Sequence, residues 1–177
     1  VTGLCADVIN QVKALACQKV LLDADALRTA AERNLGPFPK TWILSPHAGE
    51  MASCLGATVE SIEKDPLAAA GEAAKKWGCI VLYKGFHSIV AEPSGRLAII
   101  NSGNSVLAKA GTGDVLSGFI VALMAQGLSS LQAAALGAYA HGATGDFWLK
   151  SQRSKHSLVA MDLVEEVPLA LREILGE

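Results

Sequence analysis

Short aliphatic runs alternate along this chain with segments whose apolar residues recur at helical spacing, and this alternation constrains the fold more than any other feature. The runs are rich in Ile, Leu and Val and are bounded by turn-forming residues, as buried strands are. The predicted strands are 19–23, 41–44, 79–83, 88–91 and 97–100, and the predicted helices are 6–17, 49–55, 61–77, 114–126, 131–148 and 162–175. Strands that alternate with helices form a mainly parallel sheet with helices on both faces, so we predict an α/β fold.

One stretch breaks this alternation. Between residues 79 and 101, two or three strand patterns follow one another with only Glu92-Pro93-Ser94-Gly95 as a turn. Pro and Gly in so short a connection favour a tight turn, so we predict a hairpin on one side of the sheet. The chain has 177 residues, of which 51% are hydrophobic. It can therefore bury one sizeable core, and we predict a single domain over residues 1–177.

Charge and composition argue against several classes of partner. The formal net charge is −2 and the Lys and Arg residues are not clustered, so we expect no nucleic-acid partner. The longest apolar stretch, residues 115–125, is interrupted by a serine and a glycine and is too short to span a membrane. Cys5, Cys17, Cys54 and Cys79 form no Cys-x-x-Cys pair, which favours four reduced thiols in a cytoplasmic protein.

The run Ala110-Gly111-Thr112-Gly113-Asp114 lies directly before a long apolar helical pattern. Glycine lets the backbone pass close to an anion, and the first turn of a helix presents unpaired N–H groups and the positive end of its dipole. The run therefore indicates a phosphate site. The carboxylate of Asp114 would repel a phosphate, so it is better suited to accept a proton from a hydroxyl held near the terminal phosphate. The alternative is an ordinary loop in which Asp114 caps the helix.

Polar residues also follow the predicted strands, where α/β sheets place their ligands. Asp23 ends the first strand and Asp25 lies just after it; these acids orient a substrate, or Asp25 caps the next helix. After the second strand, we expect His47 to point into the crevice and Glu50 to cap the next helix or accept a hydrogen bond in it. Lys84, at the end of another strand, either holds a phosphate or is a surface lysine that extends to solvent.

Taken together and in this order, these motifs resemble the ribokinase-like superfamily, and within it the ADP- or ATP-dependent NAD(P)H-hydrate dehydratases, the carboxy-terminal domain of the YjeF type. The Gly-Thr-Gly-Asp run is typical of the superfamily at large, whereas the Asp-Ala-Asp-Ala-Leu and Pro-His-x-Gly-Glu motifs point to this family. The matching segments are 22–27, 45–51, 83–85, 103–104, 107–108, 110–118, 140–142 and 162–163. The resemblance implies a three-layer ribokinase-like fold that lacks the first strands of the full domain.

The resemblance also implies an activity and the residues that carry it. Family members remove the water that a reduced nicotinamide ring has taken up at C6, in a step linked to nucleotide hydrolysis. The implied substrate is hydrated NADH or NADPH, the implied cofactors are ADP or ATP and Mg²⁺, and the implied assembly is a homo-oligomer. Asp114 would be the catalytic residue, and the implied substrate-binding residues are His47, Ala48, Gly49, Glu50 and Asp114. The implied nucleotide-binding residues are Lys84, Gly85, Phe86, His87, Ser88, Asn104, Ala110, Gly111, Thr112 and Gly113, and no residue is assigned to a metal held by the protein alone.

Three departures from the family pattern accompany the resemblance. The upstream Gly-Pro-Gly-Leu-Gly-like motif that contacts the hydrate does not occur in this sequence. Asn104 is not followed by the usual Pro-Gly, and Phe86-His87-Ser88 stands where small residues and Thr are common, which would narrow the nucleotide pocket. Two other functions stay open. One is a small-molecule kinase of the same superfamily, against which the Pro-His-x-Gly-Glu motif argues, and the other is a catalytically silent nucleotide-binding or assembly remnant.

Overall fold

The computed structural model describes residues 2–176. Its helices are α1 (Thr2–Ala14), α2 (Asp25–Glu32), α3 (Ala48–Leu55), α4 (Val59–Lys64), α5 (Pro66–Trp77), α6 (Thr112–Ala125), α7 (Ser130–Lys150) and α8 (Ala160–Leu175). Its strands are β1 (Leu21–Leu22), β2 (Ile43–Leu44), β3 (Ile80–Tyr83), β4 (Ser88–Ala91) and β5 (Leu97–Ile100), and a 3₁₀ turn spans Ser105–Leu107. The chain divides into two compact units. The first holds the residues up to Ile99 with Ser129–Leu131, and the second holds Ile100–Leu128 and the residues from Gln132 onward.

The sheet has the order β1-β2-β3-β4-β5. Leu21 of β1 pairs with Ile43 of β2, which pairs in turn with Ile80 of β3, and both pairings are parallel. Strand β4 then runs antiparallel to β3, with Val81 opposite Ala91. The α/β prediction is therefore confirmed, including the break in the alternation after β3. The prediction of one domain over the whole chain stays a prediction.

One helix prediction and one cap prediction are wrong. The single helix predicted over 61–77 is two helices, because Pro66 has no N–H to donate to the preceding turn and disfavours the helical conformation in the residue before it. Asp65 leaves helical geometry and caps α5, accepting a hydrogen bond from the Ala68 N–H at 3.0 Å. Helix α2 was not predicted, and Asp25 is not its cap. Ala24 is the N-cap, and Asp25 opens the helix and pairs with Arg28 at 2.8 Å.

An aromatic stack forms part of the core of the first unit. The ring of Phe38 lies between the rings of Trp42 and Trp77, with centroid separations of 5.2 and 5.7 Å. Trp42 is fully buried, so its indole N–H needs a partner, and it donates to the Cys17 carbonyl at 2.8 Å. The three rings belong to one hydrophobic cluster with Leu22, Leu44 and Tyr83 of the strands. The polar groups described below follow these strand residues in the chain.

Small residues of α7 allow close packing within the second unit. A Cβ added at Gly137 would lie 2.7 Å from Cγ1 of Ile120 in α6, and one added at Gly145 would lie 2.8 Å from Cγ of Leu107. Helix α6 and the loop that contains Leu107 therefore both pack closely against the glycines of α7. Within residues 2–176, no helix is both apolar enough and long enough to cross a membrane.

Candidate active site

The amino terminus of α6 presents free backbone donors at the glycine turn. Gly111 is the N-cap and has a left-handed backbone (φ 84°), which a residue with a side chain would adopt only with strain. The first helical bond runs from the Val115 N–H to the Gly111 carbonyl at 3.3 Å. Among the residues that the structure describes, the N–H groups of Gly113 and Asp114 have no backbone acceptor. Two donors and the positive end of the helix dipole therefore face outward, as an anion site requires.

Thr112 holds this turn from the inside. Its side chain is buried, and its hydroxyl lies 2.8 Å from the Leu107 carbonyl oxygen and 2.9 Å from that of Lys109. The hydroxyl is thus used within the loop. The contribution of Thr112 is to fix the path of the backbone into α6, which sets where the free N–H groups point.

Asp114 lies in the first turn of α6 and is exposed. In the described part of the chain, no hydrogen bond or ion pair involves its carboxylate. The alternative in which Asp114 caps the helix is wrong, because the cap is Gly111 and no side chain caps this end. A carboxylate that stabilises no neighbouring group and stands beside free N–H donors is available to accept a proton.

The loop that leads into this turn is tied to α7. The Asp146 carboxylate accepts hydrogen bonds from the Gly103 N–H and from the side-chain amide of Asn104, both at 2.9 Å. The oxygen of the same amide accepts from the Val106 N–H at 3.0 Å and so caps the 3₁₀ turn. Sequence reasoning missed Asp146. The only signal was one carboxylate in a stretch of α7 that is otherwise small or aromatic.

In the first unit, the carboxyl ends of the parallel strands border a cavity of about 680 Å³. The predicted site residues that line it are His47, Ala48, Lys84, Gly85, Phe86 and His87. Much of the remaining lining is apolar, from Pro66, Leu67, Tyr83, Ile89 and Ile99. Of the described residues, Gly49, Glu50 and Ser88 are predicted site residues of this unit that do not line the cavity. His47 faces the crevice as expected.

His47 and Glu50 form a capping box at the start of α3. His47 Nδ1 accepts from the Gly49 and Glu50 N–H groups at 3.0 and 3.3 Å, and Glu50 Oε2 accepts from the His47 N–H at 2.9 Å. This explains the His-x-Gly-Glu spacing locally, since a capping box needs its two partners three residues apart. Because Nδ1 accepts, the proton of the neutral ring resides on Nε2, 3.5 Å from Glu50 Oε1. Nε2 is therefore the ring nitrogen that can donate to a ligand.

Lys84 connects the carboxyl ends of the parallel strands through one main-chain hydrogen bond and two ion pairs. Its N–H donates to the Pro46 carbonyl at 2.8 Å, and its Nζ lies 2.6 Å from Asp23 Oδ1 and 3.9 Å from Glu50 Oε2. The side chain is only 20% exposed, so it does not extend freely into solvent. The lysine charge is already balanced by two carboxylates, and a ligand phosphate would have to compete with Asp23 for it.

The predicted site residues fall into two sets. His47 to Glu50 and Lys84 to Ser88 belong to the first unit, and Asn104 and the run from Ala110 to Asp114 belong to the second. The first set meets around the cavity and the carboxylate-bound lysine. The second set meets at the α6 terminus. The first set contains two exposed imidazoles, His47 and His87, and the second contains the exposed carboxylate of Asp114 beside the backbone donors of α6.

The fold defines the chain as ribokinase-like. A ribokinase-like superfamily protein from Enterococcus faecalis superposes with a TM-score of 0.79 at 21% identity, covering 95% of this chain and 58% of that one. The ribokinase of Arabidopsis thaliana superposes with a TM-score of 0.56 at 18% identity, covering 94% of this chain and 53% of that one. Identities this low show the fold and nothing finer.

The family follows from the sequence comparison. The family model described as NAD(P)H-hydrate dehydratase matches residues 3–169. The chain belongs to the NAD(P)H-hydrate dehydratase family, as the motifs predicted.

Named relatives agree with this membership. The chain is 39% identical over 173 residues to the bifunctional NAD(P)H-hydrate repair enzyme of Moorella thermoacetica, covering 97% of this chain and 32% of that protein. It is 42% identical over 148 residues to the ADP-dependent (S)-NAD(P)H-hydrate dehydratase of Neisseria meningitidis serogroup B, covering 81% of this chain and 50% of that protein. The ADP/ATP-dependent NAD(P)H-hydrate dehydratase of Bacillus subtilis, co-crystallised with ATP and Mg²⁺, superposes with a TM-score of 0.77 at 32% identity, covering 88% of this chain and 55% of that one. The chain thus spans about a third to a half of the two curated relatives.

Proposed function

We propose that this chain catalyses the ADP- or ATP-dependent dehydration of hydrated NADH or NADPH. The proposal extends to this chain the activity named for its relatives in Neisseria and Bacillus. The observation that carries it is the α6 terminus, where free N–H groups stand beside the unpaired carboxylate of Asp114. A site for phosphate alone would need no carboxylate there, whereas phosphoryl transfer to a hydroxyl needs both an anion site and a proton acceptor.

The proposed reaction begins with transfer of the terminal phosphoryl group to the C6 hydroxyl of the hydrate. The hydroxyl oxygen forms the new bond to phosphorus, the bond to the nucleotide leaving group breaks, and Asp114 takes the hydroxyl proton. The lone pair of the ring nitrogen then expels phosphate from C6, and the C5 proton passes to solvent, which restores the C5–C6 double bond of the reduced ring. Phosphate leaves far more readily than hydroxide at neutral pH, which is why a phosphoryl group from the nucleotide is consumed.

The nucleotide is proposed to bind through main-chain donors. The N–H groups of Gly113 and Asp114 suit phosphate oxygens, and Asn104, Ala110, Gly111 and Thr112 shape the backbone around them. In residues 2–176, no cluster of three His, Cys, Asp or Glu side chains could hold a metal ion. Mg²⁺ is proposed to arrive on the nucleotide phosphates and to neutralise their charge near the Asp114 carboxylate.

The cavity of the first unit is proposed to hold ring systems of the ligands. Its apolar lining suits flat aromatic groups such as adenine or nicotinamide, and Lys84, Gly85, Phe86 and His87 are proposed to contact the nucleotide. His47 is proposed to contact the hydrated nicotinamide nucleotide through its Nε2–H. Its neighbours Ala48, Gly49 and Glu50 are proposed to face the same ligand, and the N–H groups of Gly49 and Glu50 hold the His47 ring in place through the α3 capping box.

Two further parts of the proposal concern the oligomeric state and the cellular location of the protein. Helix α8 exposes Met161, Val164 and Leu169, and apolar exposure of this kind supports a homo-oligomer. Sedimentation of the purified chain tests this, with a monomer at micromolar concentration as the contrary result. Cys54 and Cys79, both free and buried, support a reducing, cytoplasmic setting.

The activity is tested with purified chain, enzymatically hydrated NADH, Mg²⁺ and either ADP or ATP, by following the recovery of reduced-nicotinamide absorbance. We expect recovery only when a nucleotide is present. Asp114→Asn, which keeps the shape of the side chain but cannot accept the proton, should abolish it. Asp7→Asn makes the same change at an exposed position of α1 and should not. Nucleotide binding without recovery would contradict the proposed activity and favour a silent binding module.

A further inference from the structure

The loop from Gly103 to Leu107 lies along one face of α7. Ser102 donates through its hydroxyl to the Tyr139 carbonyl at 2.8 Å, and Gly142 and Gly145 let the loop backbone and the Leu107 side chain come close. Packing against glycine brings the loop near the helix but does not select one conformation, because apolar contact has no direction. Hydrogen bonds, which are directional, must select the conformation of the loop.

Asp146 supplies those bonds. Its two oxygens take one donor each, the Gly103 N–H and the Asn104 side-chain amide. Only a carboxylate offers two acceptors without a donor, so both bonds are made with no rearrangement of the side chain. Charged acceptors also form the stronger hydrogen bonds. We call this pair, Asp146 and Asn104, the loop clamp.

The loop clamp connects to the glycine turn through a continuous series of bonds. Asn104 is held by Asp146 and in turn accepts from the Val106 N–H. The 3₁₀ turn that begins there ends at Leu107, whose carbonyl oxygen lies 2.8 Å from the Thr112 hydroxyl. Thr112 opens α6. A change at Asp146 therefore acts on the start of α6 through bonds between directly connected groups.

We propose that Asp146 is a positioning residue for nucleotide binding, which it serves through the loop clamp without touching the nucleotide. This rests on the proposed function of the α6 terminus as the phosphate site. Its role is to hold the loop in the one conformation that directs the N–H groups of Gly113 and Asp114 outward.

The test is a reciprocal exchange of the two side chains. Asp146→Asn places an amide against the Asn104 amide and loses one bond. Asn104→Asp places a carboxylate against the Asp146 carboxylate, which is repulsive. In the double variant the amide and the carboxylate have changed places, and all three hydrogen bonds of the clamp can form again with the polarity of one reversed. Asp7→Asn, at an exposed position of α1, is the control for the loss of one charge.

Two quantities are measured at a temperature at which circular dichroism shows every variant folded. The first is hydrogen exchange at the Gly103 and Val106 amides without ligand. The second is the dissociation constant for ADP and for ATP. We expect both single variants to exchange faster at these amides and to bind nucleotide about tenfold or more weakly, the effect of one lost hydrogen bond to a charged group. The double variant should return to within about twofold of the unaltered protein.

A purely structural role predicts something different. Single variants that are less stable but bind nucleotide as the unaltered protein does would overturn the proposal. So would a double variant that binds no better than Asn104→Asp. Failure of the unaltered protein to bind either nucleotide would instead refute the proposed function, and the amide exchange would still decide whether the clamp fixes the loop.

Discussion

The ion pair between Asp23 and Lys84 should contribute more to stability than a surface pair. Their charged atoms are 2.6 Å apart, and their side chains are only 16% and 20% exposed. Exposed pairs contribute about 0.2 to 1 kcal/mol, whereas breaking a fully buried pair costs about 3 to 5 kcal/mol. We expect Lys84→Met to destabilise by about 2 to 3 kcal/mol, between these limits, because it removes the half-buried cation that lies between the Asp23 and Glu50 carboxylates.

Asp23→Asn should be milder, at about 1 to 2 kcal/mol, since Glu50 remains 3.9 Å from the lysine. The double variant removes both charges, so it should be more stable than the sum of the single effects predicts, by about 1 to 2 kcal/mol. Urea unfolding followed by tryptophan fluorescence measures all four proteins. The three tryptophans of the chain make this signal available without labelling.

A second cycle on the same unit is the matched control. Asp25 and Arg28 are also close, at 2.8 Å, but their side chains are 63% and 55% exposed. Their coupling energy should be at most about 0.5 kcal/mol. If the Asp23 and Lys84 cycle gave a coupling no larger than this control, burial would not strengthen the pair, and the account of Lys84 as a residue held by carboxylates would be refuted.

Three further perturbations test packing and ionisation. Gly142→Ala would bring a methyl group to 2.6 Å from the carbonyl carbon of Ser102, so we expect a loss of about 1 to 3 kcal/mol in urea unfolding, and an unchanged midpoint would contradict the close packing. Phe38→Ala, which removes the middle ring of the aromatic stack, should cost about 3 to 5 kcal/mol, and a loss below about 1 kcal/mol would show that the stack is dispensable. Burial raises the pKa of the Cys54 thiol to about 11 and that of Cys79 to about 12. Folding favours the protonated thiols, so their contribution to stability is complete below about pH 9 and is lost as the pH rises toward these values. In mildly alkaline buffer a thiol reagent should modify Cys5 and Cys17 quickly, and Cys54 and Cys79 only after denaturation. Equal rates of modification at all four thiols would contradict this.

The sequence was most informative where structure depends on neighbours along the chain. All five strands were predicted, because buried aliphatic runs bounded by turns are a local pattern. The opening of a helix at the glycine run was predicted for the same reason, although the prediction began it at residue 114 and α6 begins at Thr112. The break at Pro66 was equally local, but the strong apolar spacing on both sides of it favoured one long helix.

The parts that the sequence did not predict depend on distant partners. Asp23 and Lys84 are separated by 61 positions, and Asn104 and Asp146 by 42. No spacing rule connects such residues. The first pair meets because two parallel strands end side by side, and the second meets because a loop packs against α7. The sequence therefore leaves Lys84 as either a phosphate ligand or a surface residue, and it does not indicate the pairing of Lys84 with carboxylates.

The measurement that tests the central claim most directly compares the phosphate released with the reduced nicotinamide recovered. Hydrated NADH is incubated with the chain, Mg²⁺ and a limiting amount of ATP or ADP, and both products are quantified in the same sample. Phosphoryl transfer to the hydrate predicts equal molar amounts of the two, and Asp114→Asn should abolish both together while Asp7→Asn changes neither. Reduced nicotinamide recovered without phosphate, or equal turnover by the Asp114 variant, would contradict the account.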